Sequence, residues 1–443
     1  MGIPFYFASL SKAHKGIIQG VRKDTPMNVD VLAVDFNCLI HRYLKDEDPI
    51  NSVVEAFQHI LENTCKAKRV VIALDGVVPY AKIVQQRYRR MRVKEDITGT
   101  FDRNQISPDT PYMRELADTL RARFPLAEIS DTNEPGEGEH KIMLSLREIP
   151  ADQRRSICIY GLDADLILIC LKNYNLSYPA SMWLLRESAE FNDPKLKEAE
   201  FATLSIWKLL HQLPMDIDQY LALSVLCFGN DFMPNLAMFS LREDGYDRAL
   251  HMYQEAGQPD LKTREGILEF LKYAGAREIE VLKQRIHLRK RPEEKGVLGK
   301  EQSNFVKKFG LHVLDGVADM KPVVEAFWKT FWWTLDLFKR NEPLNWDWYY
   351  PYADAPLVAS LLQYKVDDTV EHKKLNFTVT KQLHFILPAD SLRRAKRRVQ
   401  YPDELHTETR NPWMKRHDWE MKPRISLPWH PTAHLTEVVP LES

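Results

Sequence analysis

No stretch of this chain approaches the roughly 18 consecutive apolar residues that a membrane-spanning helix requires. The opening Met1-Gly2-Ile3-Pro4-Phe5-Tyr6 is not followed by a signal-peptide pattern, so no membrane partner is expected. Gly2 invites a myristoylation reading, but Tyr6 stands where that motif wants Ser or Thr. Cysteine is scarce. The five residues Cys38, Cys65, Cys158, Cys170 and Cys227 show no CxxC or Cys/His zinc spacing, and four lie inside apolar segments. They read as buried thiols of a reducing compartment, the cytoplasm with the nucleus as the alternative. Net charge is lacking too: 61 Lys plus Arg stand against 62 Asp plus Glu. There is no global pull toward a polyanion, and any nucleic-acid site must be local. Internal repeats and low-complexity tracts are also missing. What is present is 443 residues, 44% of them hydrophobic, enough to bury a large core in two or three domains.

The chain is organised around residues 156 to 171, where the apolar run Ile157-Cys158-Ile159-Tyr160 breaks into Gly161-Leu162-Asp163-Ala164-Asp165 before a second apolar run. A short apolar run bounded by glycine reads as a core strand of a parallel sheet, and ligands of open α/β sheets sit beyond the carboxyl ends of such strands. Two aspartates two residues apart repel each other unless they face water, bases or a cation. The pattern recurs. Val31-Leu32-Ala33-Val34 runs into Asp35, Val70-Val71-Ile72-Ala73-Leu74 runs into Asp75, Glu137 and Glu139 follow Pro135-Gly136, and Asp231 follows Gly229-Asn230. One such acid alone is most simply a cap or turn residue. Seven of them at element ends predict a hard divalent metal held by oxygen ligands.

Strand, helix and strand over residues 29 to 75 predict a βαβ crossover, with the connecting helix at 53–67 and Asp35 and Asp75 ending neighbouring parallel strands. A helix starting near Pro79 places Lys82, Gln86, Arg89 and Arg90 on one face. Alone that stripe is a solvated face. Beside a metal acid it reads as a phosphate pocket. His41, six residues past Asp35, is by itself an ordinary surface histidine. Further on, 93–111 reads as loop, 112–124 as helix, 182–186 as strand, and 201–213 and 217–228 as helices, completing an α/β domain to about 250. Residues 273–300 read as a charged helix and linker, and 323–338 as a helix rich in aromatics, including Trp328, Trp332 and Trp333. Most such rings are core, with one or two open to base stacking. For Arg393-Arg394-Ala395-Lys396-Arg397-Arg398, a nuclear import signal, a nucleic-acid contact and a solvated helix face all stay open. The fold class is α/β: a mainly parallel central sheet flanked by helices, with a mostly helical second region packed on it. The expected division is a catalytic domain over 1–250, a helical linker over 251–310 and a second region over 311–443.

Met1-Gly2-Ile3-Pro4, Val34-Asp35-Phe36-Asn37 through His41, Asp75-Gly76-Val77 through Arg90, Pro135 to Lys141, Gly161 to Asp165 and Gly229 to Pro234 together resemble the Xrn family of 5′→3′ exoribonucleases, within the flap-endonuclease and PIN-like group. Trp346 to Tyr352, Ala355-Pro356, Phe385 to Pro388 and Trp419-Glu420 are similar to that family's second conserved region. The resemblance implies that Asp35, Asp75, Glu137, Glu139, Asp163, Asp165 and Asp231 hold two Mg²⁺ ions, with Mn²⁺ able to substitute. It implies that Lys82, Gln86, Arg89 and Arg90 grip a 5′-monophosphate and that His41 and Trp333 sandwich the first bases. Where the family has His, this chain has Asn235 and Asp354. The implied activity is processive 5′→3′ degradation of 5′-monophosphorylated single-stranded RNA to nucleoside 5′-monophosphates. A structure-specific flap-type DNA nuclease would share the acids, and an RNA-binding scaffold would need none of them. No protein partner is indicated.

Overall fold

The computed structural model describes residues 2–22, 25–91, 101–177, 181–191, 196, 198–287, 314, 317–352, 354–387 and 389–395. Seven strands form one sheet: β1 (Ile18–Gly20), β2 (Met27–Asp35), β3 (Cys65–Ala73), β4 (Glu128–Ser130), β5 (Ser156–Tyr160), β6 (Ser181–Glu187) and β7 (Phe201–Ser205), in the order β1-β7-β6-β5-β2-β3-β4. The five strands from β6 to β4 are parallel, and β7 turns antiparallel against both β6 and β1. The sheet is thus α/β and mainly parallel, as the apolar runs imply.

Strand alternation divides the core. Val31, Ala33, Val71, Ala73, Ile157 and Ile159 face one apolar cluster, while Leu32, Val34, Ile72, Leu74, Cys158 and Tyr160 face another. Both faces are buried, which is why these strands read as continuous apolar runs. From β2 the chain crosses to β3 on one side and later returns to β5 on the other. The gap between β2 and β5 is therefore a topological switch point, where such sheets open a crevice.

Three expected boundaries are corrected. The helix expected at 53–67 runs from Pro49 to His59, continues as one π-helical turn, Ile60–Thr64, and gives way to β3 at Cys65. Asp48 fixes its start by accepting the Asn51 N–H at 3.1 Å, with Pro49 in the first turn. The helix expected at 201–213 is instead strand β7 followed by the short helix Ile206–Leu210. The outer edge of β6 requires a hydrogen-bonded partner, and Phe201, Thr203 and Leu204 suit a strand. Ser205 then accepts from the Lys208 N–H and caps the helix, a signal legible in the chain. Helix Arg264–His287 starts nine residues earlier than expected, and the linker beyond it lies outside the described residues. So do Lys396 to Arg398.

The second region joins the same core and adds a small cluster in which Leu314, Met320, Val323 and Leu357 meet Ala237 and Leu282. Helix Lys321–Arg340 sinks Phe327, Trp328, Phe331 and Leu337 into the cluster under β2, β3 and β5. Its C-terminus is tied down by Arg147, which donates to the Lys339 and Arg340 carbonyls at 2.8 Å. Helix Val379–Ile386 packs on helix Tyr80–Met91, Leu383 and Ile386 meeting Tyr80 and Ile83. The N-terminal segment is stitched in similarly: Tyr6, Tyr220, Tyr246 and His14 form a buried hydrogen-bonded chain with 2.8 Å links.

In helix Arg264–His287, Glu278 is buried and its carboxylate accepts the Val358 N–H at 2.9 Å and the Ala359 N–H at 3.3 Å from the second region. Burial outweighs these bonds and pushes its pKa from 4.5 up to about 7. A raised carboxyl pKa means folding takes up a proton, so its contribution is full below about 4.5 and lost as pH rises through about 7. Glu278→Gln should remove this dependence. The variant's melting temperature relative to wild type should climb between pH 5 and pH 8, and a difference independent of pH would contradict the assignment.

Candidate active site

Every predicted acid lies at the carboxyl edge of the parallel strands. Asp35 is the last residue of β2 and Asp75 lies two residues beyond β3. Glu137 and Glu139 flank the start of helix Gly138–Glu148, Asp163 and Asp165 follow β5, and Asp231 follows helix Ile217–Phe228. Close approach is made possible by glycine. A Cβ on Gly138 would lie 2.8 Å from Asp35 Oδ1, and one on Gly2, at φ +39°, only 2.3 Å from Asp165 Oδ1. Backbone donors do the aiming: the Gly138 N–H donates to Asp75 Oδ1 at 2.7 Å. Lys141 anchors the loop, donating to the carbonyls of Leu74, Asp131 and Glu134 at 2.8, 2.6 and 3.1 Å.

Lys82 is not on an open basic face. Its ammonium is buried among the acids, 2.6 Å from Glu137 Oε2 and 2.8 Å from Asp231 Oδ2, with the Phe232 ring 5.9 Å away. Burial works against that charge, but Asp231 and Glu137 outweigh it and hold its pKa well above the ordinary lysine value. The acids are pushed the other way. Burial raises Asp35, with Asp75 adding repulsion, and raises Glu139 and Asp165, each with a neighbouring aspartate adding to it. One ammonium cannot balance this set. Asp35 Oδ1, Glu137 Oε1 and Asp165 Oδ1 are buried without a hydrogen-bond partner among the described residues. An all-oxygen donor set with three such atoms fits a hard cation. Among the described residues no three of these groups are close enough to hold one ion, and the Lys82 ammonium lies between two of them instead.

Asp35, Asp75, Glu137, Glu139 and Asp163 line a cavity together with Lys82, Gln86, Arg90 and His41. Arg90 also donates to the Arg103 carbonyl at 3.2 Å and to that of Ile106, which closes the cavity's rim. The Arg89 side chain lies outside the described residues. Trp333 is a correction. It is fully buried, its indole N–H donates to the Asn345 carbonyl at 2.8 Å, and its ring meets Phe232 edge-on at 5.2 Å. A ring with no open face is core, not a stacking platform. Sequence reasoning missed Asn37, whose Oδ1 accepts the Asp75 N–H at 3.3 Å, and Cys38, whose thiol donates to Asp35 Oδ2 at 2.9 Å. Their place directly after Asp35 was the available signal.

Residues 1–100 and 94–188 match the family model described as XRN 5′-3′ exonuclease N-terminus. Residues 1–188 are thus similar to an XRN N-terminal domain. That match spans Lys82 to Arg90 and six of the seven acids, with Asp231 beyond it. The 5′-3′ exoribonuclease 2 of Saccharomyces cerevisiae is 29% identical over 421 residues, covering 69% of this chain and 42% of that protein. The 5′-3′ exoribonuclease 2 homolog of Caenorhabditis elegans is 27% identical, covering 64% and 42%. The chain spans less than half the length of these relatives. Among solved structures, the catalytic core of Rad2 in complex with DNA substrate is similar at 15% identity and a TM-score of 0.42, covering 80% of this chain and 91% of that one. Flap endonuclease-1 from Methanococcus jannaschii is similar at 12% and 0.34, covering 58% and 81%. Neither likeness bears on chemistry.

Two outcomes check the site as drawn. Asp165→Asn removes one of several mutually repelling acids, so it should raise the metal-free melting temperature slightly while weakening Mg²⁺ binding in calorimetry. Unchanged Mg²⁺ binding would remove Asp165 from the ligand set. Trp333→Ala should cost about 3 to 5 kcal/mol of stability, the usual loss for a large buried aromatic, read as a collapsed melting temperature.

Proposed function

We propose that this chain is a Mg²⁺-dependent 5′→3′ exoribonuclease that processively degrades 5′-monophosphorylated single-stranded RNA to nucleoside 5′-monophosphates. The observation that carries this reading is the single cavity lined both by carboxylates at the strand ends and by Lys82, Gln86 and Arg90 of helix Tyr80–Met91. The exoribonuclease names of the relatives agree with it.

In this reading Asp35, Asp75, Glu137, Glu139, Asp163, Asp165 and Asp231 would hold two Mg²⁺ ions, with Mn²⁺ able to substitute. Bound there, the metal would supply charge that stabilises the scissile phosphate and acidifies an attacking water. The rest falls to the protein. Gln86, Arg89 and Arg90 grip the terminal phosphate, the arginines through charge-assisted bonds. Lys82 offsets some of the charge of Glu137 and Asp231, which engage two of its three N–H donors. His41, on the cavity wall, stacks on the first base. A pocket closed around a single phosphate rejects caps and triphosphates.

End recognition has a direct test. A phosphate losing two charged donors should cost on the order of 10² to 10⁴ in kcat/KM. Arg89→Ala combined with Arg90→Ala should slow 5′-phosphate RNA by that amount in Mg²⁺ and 5′-hydroxyl RNA hardly at all, because the hydroxyl substrate already lacks the same bonds. Equal slowing of both substrates would make the arginines general backbone contacts or structural residues.

A further inference from the structure

Gln382 belongs to the second region, yet it is fully buried against the helix that faces the acids. Its Oε1 accepts the Val78 N–H at 3.1 Å, and its Nε2 donates to Gln86 Oε1 at 3.3 Å. The assignment of these atoms follows from donor logic. A backbone N–H can only donate, so the atom of Gln382 facing Val78 must be oxygen, which turns the NH₂ group toward Gln86. The atom of Gln86 that meets an NH₂ group must in turn be its carbonyl oxygen. Gln86 lines the cavity, and the end of its amide left to the cavity is the donating end.

We infer that Gln382 is a positioning residue: by holding the Gln86 carbonyl away from the cavity, it makes Gln86 a donor to the terminal phosphate rather than an acceptor that would repel it. The inference rests on the proposed 5′-monophosphate pocket. The surrounding contacts keep the arrangement rigid. The Tyr80 N–H donates to the Trp346 carbonyl at 2.8 Å, and Arg87, buried from the same helix, donates to the Phe385 carbonyl and lies over the Phe385 ring at 4.9 Å. Second-region residues on either side of Gln382 therefore pin the helix, and Gln382 sets the sense of one side chain on it.

The test is binding, not turnover, using a short RNA of non-hydrolysable phosphorothioate linkages, with a 5′-phosphate or a 5′-hydroxyl, in Mg²⁺. Its readout is the ratio of the two dissociation constants by fluorescence anisotropy. Glutamate at 382 still accepts from Val78, but its second oxygen faces the Gln86 carbonyl and forces that amide to turn over. Gln382→Glu should lower the preference for the 5′-phosphate roughly 10- to 100-fold, the range of one hydrogen bond to a charged group, with little change for the 5′-hydroxyl RNA. Gln382→Met brings no charge into the core and should act in the same direction, by about threefold to tenfold. In a Gln86→Met background neither substitution should change the ratio further, since both act through Gln86. An equal loss in that background, or a full preference in a folded Gln382→Glu or Gln382→Met protein, overturns the inference. A wild type that does not distinguish the two RNAs overturns the phosphate pocket itself.

Discussion

The structure depends on keeping like charges together at the ends of parallel strands. Carboxylates packed at the carboxyl edge of a sheet repel one another, and burial makes each ionised form costlier still. Three features make the arrangement tolerable here. The Lys82 ammonium lies between Glu137 and Asp231, the Gly138 N–H points at Asp75, and Gly2 and Gly138 let backbone approach where a Cβ would collide. Even so, oxygens of Asp35, Glu137 and Asp165 are left without partners among the described residues. A fold that only needed stability would replace such groups with apolar ones of similar volume.

The second region is attached both beneath the strands and against the helix beside the acids. It does not rest on the surface as a separate body. Helix Lys321–Arg340 completes the core beneath the strands, while helix Val379–Ile386 braces the helix that carries Lys82 and Gln86. The backbone N–H groups of Val78 and Tyr80, at the start of that helix where no intrahelical partner exists, are both satisfied from the second region, by Gln382 and by the Trp346 carbonyl. Removing those residues would leave buried donors unpaired as well as opening a cavity.

Much of this was legible in the chain because the signals are local. An apolar run ending in an acid marks a strand end whatever it packs against, so β2, β3 and β5 and the acids after them could be read directly. Residues four apart on a helix share a face by geometry alone, which placed Lys82 and Gln86 together. What could not be read was decided by partners distant in sequence. Phe201 to Ser205 became a strand because β6 had an open edge. Trp333 became core because Phe232 and the Asn345 carbonyl close around it. Lys82 looked like a member of a solvent-facing stripe because nothing nearby in sequence shows that Glu137 and Asp231 converge on it. Gln382 carried no signal at all, since a glutamine in an amphipathic helix announces neither burial nor partner.

Helix Tyr80–Met91 also acts as a ruler. Lys82 meets the acids, and Gln86 and Arg90 follow at successive steps of four residues, about 6 Å each along the axis. Gln86 and Arg90 are therefore kept at set distances from the carboxylates by a rigid rod, not by a loop. Such a rod can fix which bond lies over the acids only if it cannot slide or roll against the sheet. Its first N–H groups are pinned by the second region, Lys82 is pinned by two carboxylates, and Arg90 is pinned by carbonyls of the segment at 103–106. The pins are independent of one another. Loosening the second-region contacts should therefore shift this helix before it disturbs the acids, because those are held mainly by the strands and by Lys141.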